Sequence, residues 1–265
     1  MNKPHLRVAG LALLAGFFAV PAAQADLLVS GDSNLGNGLT IAGNQQFFSN
    51  LLGSGTNVVF QTTTHTGDPT ETMSQADIIS YLTSRGASVT QVSTVTAANL
   101  AGASLFISFL PDTAYTGAEE SAIHGFLNSG HTALLTGEFA PYDTAADNHI
   151  NSLLSYLGSS MSLTENDLDN LQHFATASQI QPTRYTIGVT SFEYGGVSTV
   201  TGGTAIFDTV NGSPFLEYTP YASTGAGGST GGGGSTVAGV PEPATLSLLG
   251  LGLAGVGFMR RRKAK

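Results

Sequence analysis

Cysteine is absent from all 265 residues, which excludes a thiolate nucleophile, thiolate metal sites, covalent haem attachment of the c type and any disulfide. Basic residues are almost missing from the middle of the chain: residues 26–239 hold Arg85, Arg184 and no lysine, against seventeen Asp and Glu, a net of −15. Such a surface repels nucleic acid and anionic lipid, so neither is expected as a partner. Two further patterns are missing. No Gly-x-Ser-x-Gly elbow occurs, which disfavours a serine hydrolase of that type, and no His-Glu-x-x-His places two metal ligands on one helical face. Histidines 65, 124, 131, 149 and 173 are scattered; His124 follows Glu120 at the spacing of a solvated helix pair.

The two ends carry what the middle lacks. Lys3 and Arg7 precede an apolar run from Val8 to Val20, then Pro21 and Ala23-Gln24-Ala25, the small-x-small pattern of a signal peptidase site. Residues 1–25 are therefore expected to be a signal peptide with a short helix, leaving Asp26 as the first mature residue. At the other end, 223–239 is a Gly/Ser-rich linker that buries nothing and acts as a tether. Residues 240–265 follow with Pro241, Glu242 and Pro243, an apolar run from Ala244 to Met259, and the basic cluster Arg260, Arg261, Arg262 and Lys263. As a helix the run spans roughly 24 Å at about 1.5 Å per residue, short against a hydrocarbon core of about 30 Å. The basic cluster would stop it on the cytoplasmic side.

Pro-Glu-Pro, apolar helix and basic tail in that order resemble the PEP-CTERM sorting signal of Gram-negative bacteria. The resemblance implies transient anchoring in the inner membrane, recognition by an exosortase and release to the outer surface or the exopolysaccharide matrix, with extracellular polysaccharide as a further partner. A plain single-span anchor is the alternative reading of the same residues.

Between the ends, residues 26–222 read as one α/β domain. Leu27 to Ser30, Val89 to Val92, Leu105 to Leu110 and Thr132 to Thr136 are strand candidates, and the two continuous apolar runs suit strands covered on both faces. Helices are expected over Gly43 to Leu52, after a Ser74/Asp77 capping box, after a Thr116/Glu119 capping box, and from a cap at Asp147 to Gly158. Alternation of this kind predicts a three-layer sandwich around a mostly parallel sheet, with Leu105–Leu110 and Thr132–Thr136 adjacent and parallel. From Tyr185 onward the pattern is strand-rich: Tyr185 to Val189, Thr204 to Phe207 and Phe215 to Tyr218 are expected to extend or edge the same sheet.

The stretch from Ala76 to Gly158 resembles the class I glutamine amidotransferase-like fold, a flavodoxin-like sandwich, in its order of helix, strand Leu105 to Pro111, helix Glu119 to Gly130, strand Ala133 to Gly137 and helix Asn151 to Gly158. Family enzymes carry a cysteine on the tight turn after a central strand. Here that turn is read as Gly137-Glu138-Phe139, so the usual amidotransferase or peptidase activity is not implied.

Two loops invite a ligand and fall short. Gly31 to Gly36 matches the first glycines of a phosphate loop, but Asn37-Gly38 stand where a lysine and a hydroxyl are needed. Glu165-Asn166-Asp167-Leu168-Asp169 lacks the glycine of a calcium loop. One constellation remains: Asp32, Asp112, Glu138 and Asp143 fall at carboxyl ends of strands, where ligands of open α/β sheets bind. Such carboxylates would chelate a hard cation such as Ca2+, act as acid and base on a sugar, or serve as ordinary turn residues. The expectation is a non-enzymatic surface or matrix protein with an interaction or structural role, the alternative being a secreted hydrolase that acts on matrix polysaccharide through those carboxylates.

Overall fold

A computed structural model describes residues 25–62, 69–164 and 172–221. The signal segment with Ala23, His65, the 165–169 acidic cluster, the tether, and the tail with Pro241, Glu242, Pro243, Arg260, Arg261 and Arg262 lie outside the described residues. In chain order the elements are β1 (Ala25–Ser30), a 3-10 turn (Asn34–Thr40), α1 (Ala42–Leu52), β2 (Asn57–Gln61), α2 (Pro69–Ser84), β3 (Ser88–Val92) and α3 (Ala97–Leu100). There follow β4 (Leu105–Phe109), α4 (Gly117–Asn128), β5 (Thr132–Thr136), α5 (Ala140–Tyr156), β6 (Ser162–Thr164) and β7 (His173–Thr176). The last strands are β8 (Ser191–Tyr194), β9 (Thr199–Thr201), β10 (Thr204–Asp208) and β11 (Pro214–Tyr221).

A seven-stranded sheet of order β10-β11-β1-β5-β4-β2-β3 runs through the middle. Five strands are parallel, and β4 and β5 are neighbours with Leu105 opposite Thr132. On the other side of β1, β11 pairs antiparallel over six residues, and β10 pairs antiparallel with β11. The strict side-chain alternation of a strand sorts each residue to one of two cores. Leu28, Phe60, Ile107 and Leu134 face α1 and α2. Leu27, Val59, Phe106 and Leu135 face α3, α4 and α5. Helices on both faces make the three-layer sandwich, which explains why β1, β4 and β5 carry continuous apolar runs.

The first core is rich in aromatic rings: Phe47 meets Phe192 and Phe207 edge-on, and Phe192 stacks on Phe207 with centroids 4.0 Å apart. Two-stranded pieces β7–β8 and β6–β9 close the two layers beside the sheet. No helix among the described residues is long and apolar enough to cross a membrane.

Several local expectations are corrected. Ser74 and Asp77 do not open a helix: α2 begins at Pro69, where proline's missing N–H and fixed φ suit the first turn, and Ser74 lies in mid-helix. Asp147 does not cap α5, which starts near Ala140 and kinks at Asp143 (φ −146°, ψ 70°). Asp143 itself caps the helix beyond the kink, its Oδ1 accepting from the Ala146 N–H at 3.0 Å. Tyr185 to Val189 is not a strand; Arg184–Thr186 forms a 3-10 turn. Strand β2 was not expected, since its apolar part is only Val58-Val59-Phe60. The Thr116/Glu119 box forms as the spacing predicts, the two residues exchanging side-chain to backbone hydrogen bonds.

Candidate functional site

Residues Ser30 and Thr136 are register partners on adjacent strands β1 and β5, so two residues further along each chain Asp32 and Glu138 emerge at the same carboxyl edge. Both are almost fully buried. The chain between Ser30 and Asn34 turns sharply: Asp32 Oδ1 accepts from the Asn34 N–H at 2.7 Å, and Oδ2 accepts from the Gly195 N–H at 3.2 Å. Beside it, the Ser33 hydroxyl and its N–H both donate to Glu138 Oε2, while Glu138 Oε1 accepts from the Phe139 N–H.

Helix α2 joins from above, since the Ser74 hydroxyl donates to the Ser33 carbonyl and accepts from the Gly36 N–H. The residue whose spacing suggested a cap is thus a brace for the loop after β1. From α5, Asp147 accepts the Glu138 N–H at 3.0 Å and the Ser198 hydroxyl at 2.6 Å. Gly31 lets the Gly195–Ser198 segment cross β1: a Cβ there would lie 1.8 Å from the Ser198 carbonyl oxygen.

These loops wall a cleft of about 500 Å³ whose lining includes Asn34, Asn37, Glu71, Glu138, Tyr142 and Glu193. No Lys or Arg is among its lining residues. Tyr142 stands 59% exposed at the mouth, and Met73 is 52% exposed. Burial, with a smaller push from the charge of Glu193, raises the Asp32 carboxyl to about 7 despite the opposing N–H donors. Glu138 is raised well above the usual carboxylate range by burial first, then by the charges of Asp32 and Glu71. Two neighbouring buried carboxyls of this kind resist ionising together.

Of the four strand-edge carboxylates, the structure brings Asp32 and Glu138 together. Asp143 is buried at the α5 kink, and Asp112 is exposed beyond the end of β4. Among the described residues no group of three or more His, Asp and Glu side chains is placed to hold a metal ion. The glycine-rich stretch after β1 is a 3-10 turn without a lysine. Leu110, following β4, is a non-glycine residue at φ 44° with a fully buried side chain.

His173 lies beside the cleft, its ring 5.7 Å from that of the lining residue Tyr194, and three other histidines belong to other surroundings. His124 meets Asn128 and the rings of Tyr156 and Tyr221, His131 stacks on Phe126, and His149 Nδ1 lies 2.9 Å from the Pro111 carbonyl. Sequence reasoning missed Glu71, Tyr142, Glu193 and the Gly195–Ser198 segment. Only Glu71 had a local signal, an acid in the first turn of a helix.

Residues 239–263 match the PEP-CTERM protein-sorting motif. The match identifies this chain as one exported with the help of an exosortase and sorted through the membrane towards the cell surface. No curated protein matches the sequence. Two solved structures are similar. The mmIFT52 N-terminal domain aligns at TM-score 0.40 and 16% identity over 58% of this chain and 72% of that one. A Listeria monocytogenes EGD-e protein assigned as a peptidase E aligns at TM-score 0.30 and 17% identity over 43% of this chain and 59% of that one. Both scores are too low to speak to activity.

Proposed function

We propose that this is a surface or matrix protein whose domain, residues 26–222, holds a neutral, hydroxyl-rich ligand, a saccharide of the extracellular polysaccharide, in the cleft at the carboxyl edge of the sheet. Signal peptidase would release it at Ala25, and exosortase would deliver it from the inner membrane to the outside of a Gram-negative cell. The observation that carries the binding role is the lining: the exposed ring of Tyr142 beside amides and carboxyls, with no cation. A ring offers a flat apolar face, and amides beside carboxyls offer both donors and acceptors, the combination that a sugar's CH face and hydroxyls require. An anionic ligand would meet Glu71, Asp77 and Glu193 with nothing to neutralise them.

Isothermal titration with neutral oligosaccharides prepared from the producing organism's matrix tests this. Tyr142→Ala is expected to weaken binding about tenfold, ~1.4 kcal/mol. Absence of binding by the native protein to every neutral glycan would overturn the reading. The raised Asp32 and Glu138 carboxyls support a second reading, hydrolysis, because a carboxyl still protonated near pH 7 is a proton donor. Release of new reducing ends that disappears in Glu138→Gln would establish it.

A further inference from the structure

The sheet has two ends, and the chain treats them differently. Beyond β10 the outer edge is met by other chain: Ile180 bridges to Phe207, and the Gln181 N–H donates to the Ile206 carbonyl at 3.0 Å. Two register shifts interrupt the strand, and Asp208 ends it with a charge. These are the devices that keep a sheet edge from recruiting another strand. At the other end, β3 pairs with β2 over all five residues, and among the described residues no strand lies beyond it.

The direction of the backbone groups of β3 follows from its bonds. The Ser88 N–H donates to Thr56 and the Val92 carbonyl accepts from Thr62, so Ser88, Thr90 and Val92 turn their backbone towards β2. By alternation the N–H and C=O groups of Val89 and Gln91 point outward. Ser88, Thr90 and Gln91 are exposed. The edge has neither proline, lysine nor register shift, and from Gly86 to Pro111 the sequence holds no charged residue.

We propose that β3 is a self-assembly edge, through which two copies of this chain pair their Ser88–Val92 strands antiparallel about a two-fold axis at Thr90. The occupant follows from symmetry and charge. The outward groups are self-complementary: Val89 faces Gln91 of the second copy and Gln91 faces its Val89, which makes four backbone hydrogen bonds and fuses two seven-stranded sheets into one. A chain carrying −15 between residues 26 and 239 repels a second copy wherever carboxylates crowd, and this uncharged strip is a place where two copies can meet without that penalty.

The two-fold axis makes the test specific, because Thr90 sits opposite its own counterpart. The full chain in mild detergent is followed by sedimentation equilibrium. The native protein is expected to dimerise, and Thr90→Lys and Thr90→Glu are each expected to weaken the dimer at least about tenfold by placing like charges face to face. An equimolar mixture of the two variants is expected to regain association, since opposite charges then meet at the axis; recovery also shows that both variants are folded. A native chain that stays monomeric over the whole concentration range, association untouched by either variant, or a mixture that fails to recover would each overturn the proposal.

Discussion

Raising the pH is expected to weaken this domain across the range in which acid-sensitive proteins grow stronger. In the unfolded chain Asp32 ionises near its ordinary 3.8, whereas in the fold it holds its proton until about 7. Between those values the native state binds a proton that the unfolded chain has lost, so stability falls as pH rises and levels off above 7. A carboxyl raised that far costs the fold about 4 kcal/mol once it is fully ionised, of which about 2 kcal/mol falls between pH 5 and 7. Glu138, raised for the same reasons, acts in the same direction, as do Asp26, Glu193, Asp208 and Glu217, all raised chiefly by burial. Against a typical total of about 5 to 15 kcal/mol this is a large part. Urea denaturation at pH 5, 6, 7 and 8 reads it directly: with a slope of about 2 kcal/mol/M, the midpoint should drop by about 1 M or more between pH 5 and 7. Asp32→Asn should flatten the pH dependence. A midpoint that stays level or rises from pH 5 to 7, or a pH dependence unchanged in both Asp32→Asn and Glu138→Gln, would refute the assignment of protons to this pair.

Two further outcomes are expected. Gly31→Ala drives a methyl into the Ser198 carbonyl, 1.8 Å away, and should cost more than about 3 kcal/mol in a thermal or urea melt and abolish ligand binding together with the Gly195–Ser198 wall. Replacing Pro241-Glu242-Pro243 by alanines should leave the domain folded, as judged by protease resistance, but hold it in the inner membrane fraction; normal amounts at the surface would contradict the sorting role of those residues.

The parallel part of the sheet was legible because its strands are covered on both faces, which forces runs such as Leu105–Phe109 to be apolar throughout. The Thr116 box was legible because both of its bonds are local. Strand β2 hides because three apolar residues are too few to show a period, and its neighbours β3 and β4 supply the rest of its environment. Ser74 and Asp147 mislead for a common reason: a short polar side chain that reaches a backbone group looks the same in sequence whether that group lies in its own helix or across the sheet. Their actual partners lie outside their own helices: Ser33 and Gly36 for Ser74, the Glu138 N–H and the Ser198 hydroxyl for Asp147. The candidate site was half legible. Asp32 and Glu138 follow strand ends that the pattern marks, whereas Glu193 and Gly195 arrive from a C-terminal hairpin whose approach depends on the packing of Phe192 against Phe47 and Phe207.

Strand β1 begins the fold and β11 ends it, yet they lie side by side, with Ala25 opposite Tyr221 and Ser30 opposite Leu216. The first strand therefore has an open flank until the last has crossed the membrane. A chain that emerged N-terminus first would assemble helices and the inner parallel strands on the way, but it would not lock β1 until residue 221 had emerged. Closing so long a loop is slow, and it sets completion of the fold at the end of translocation.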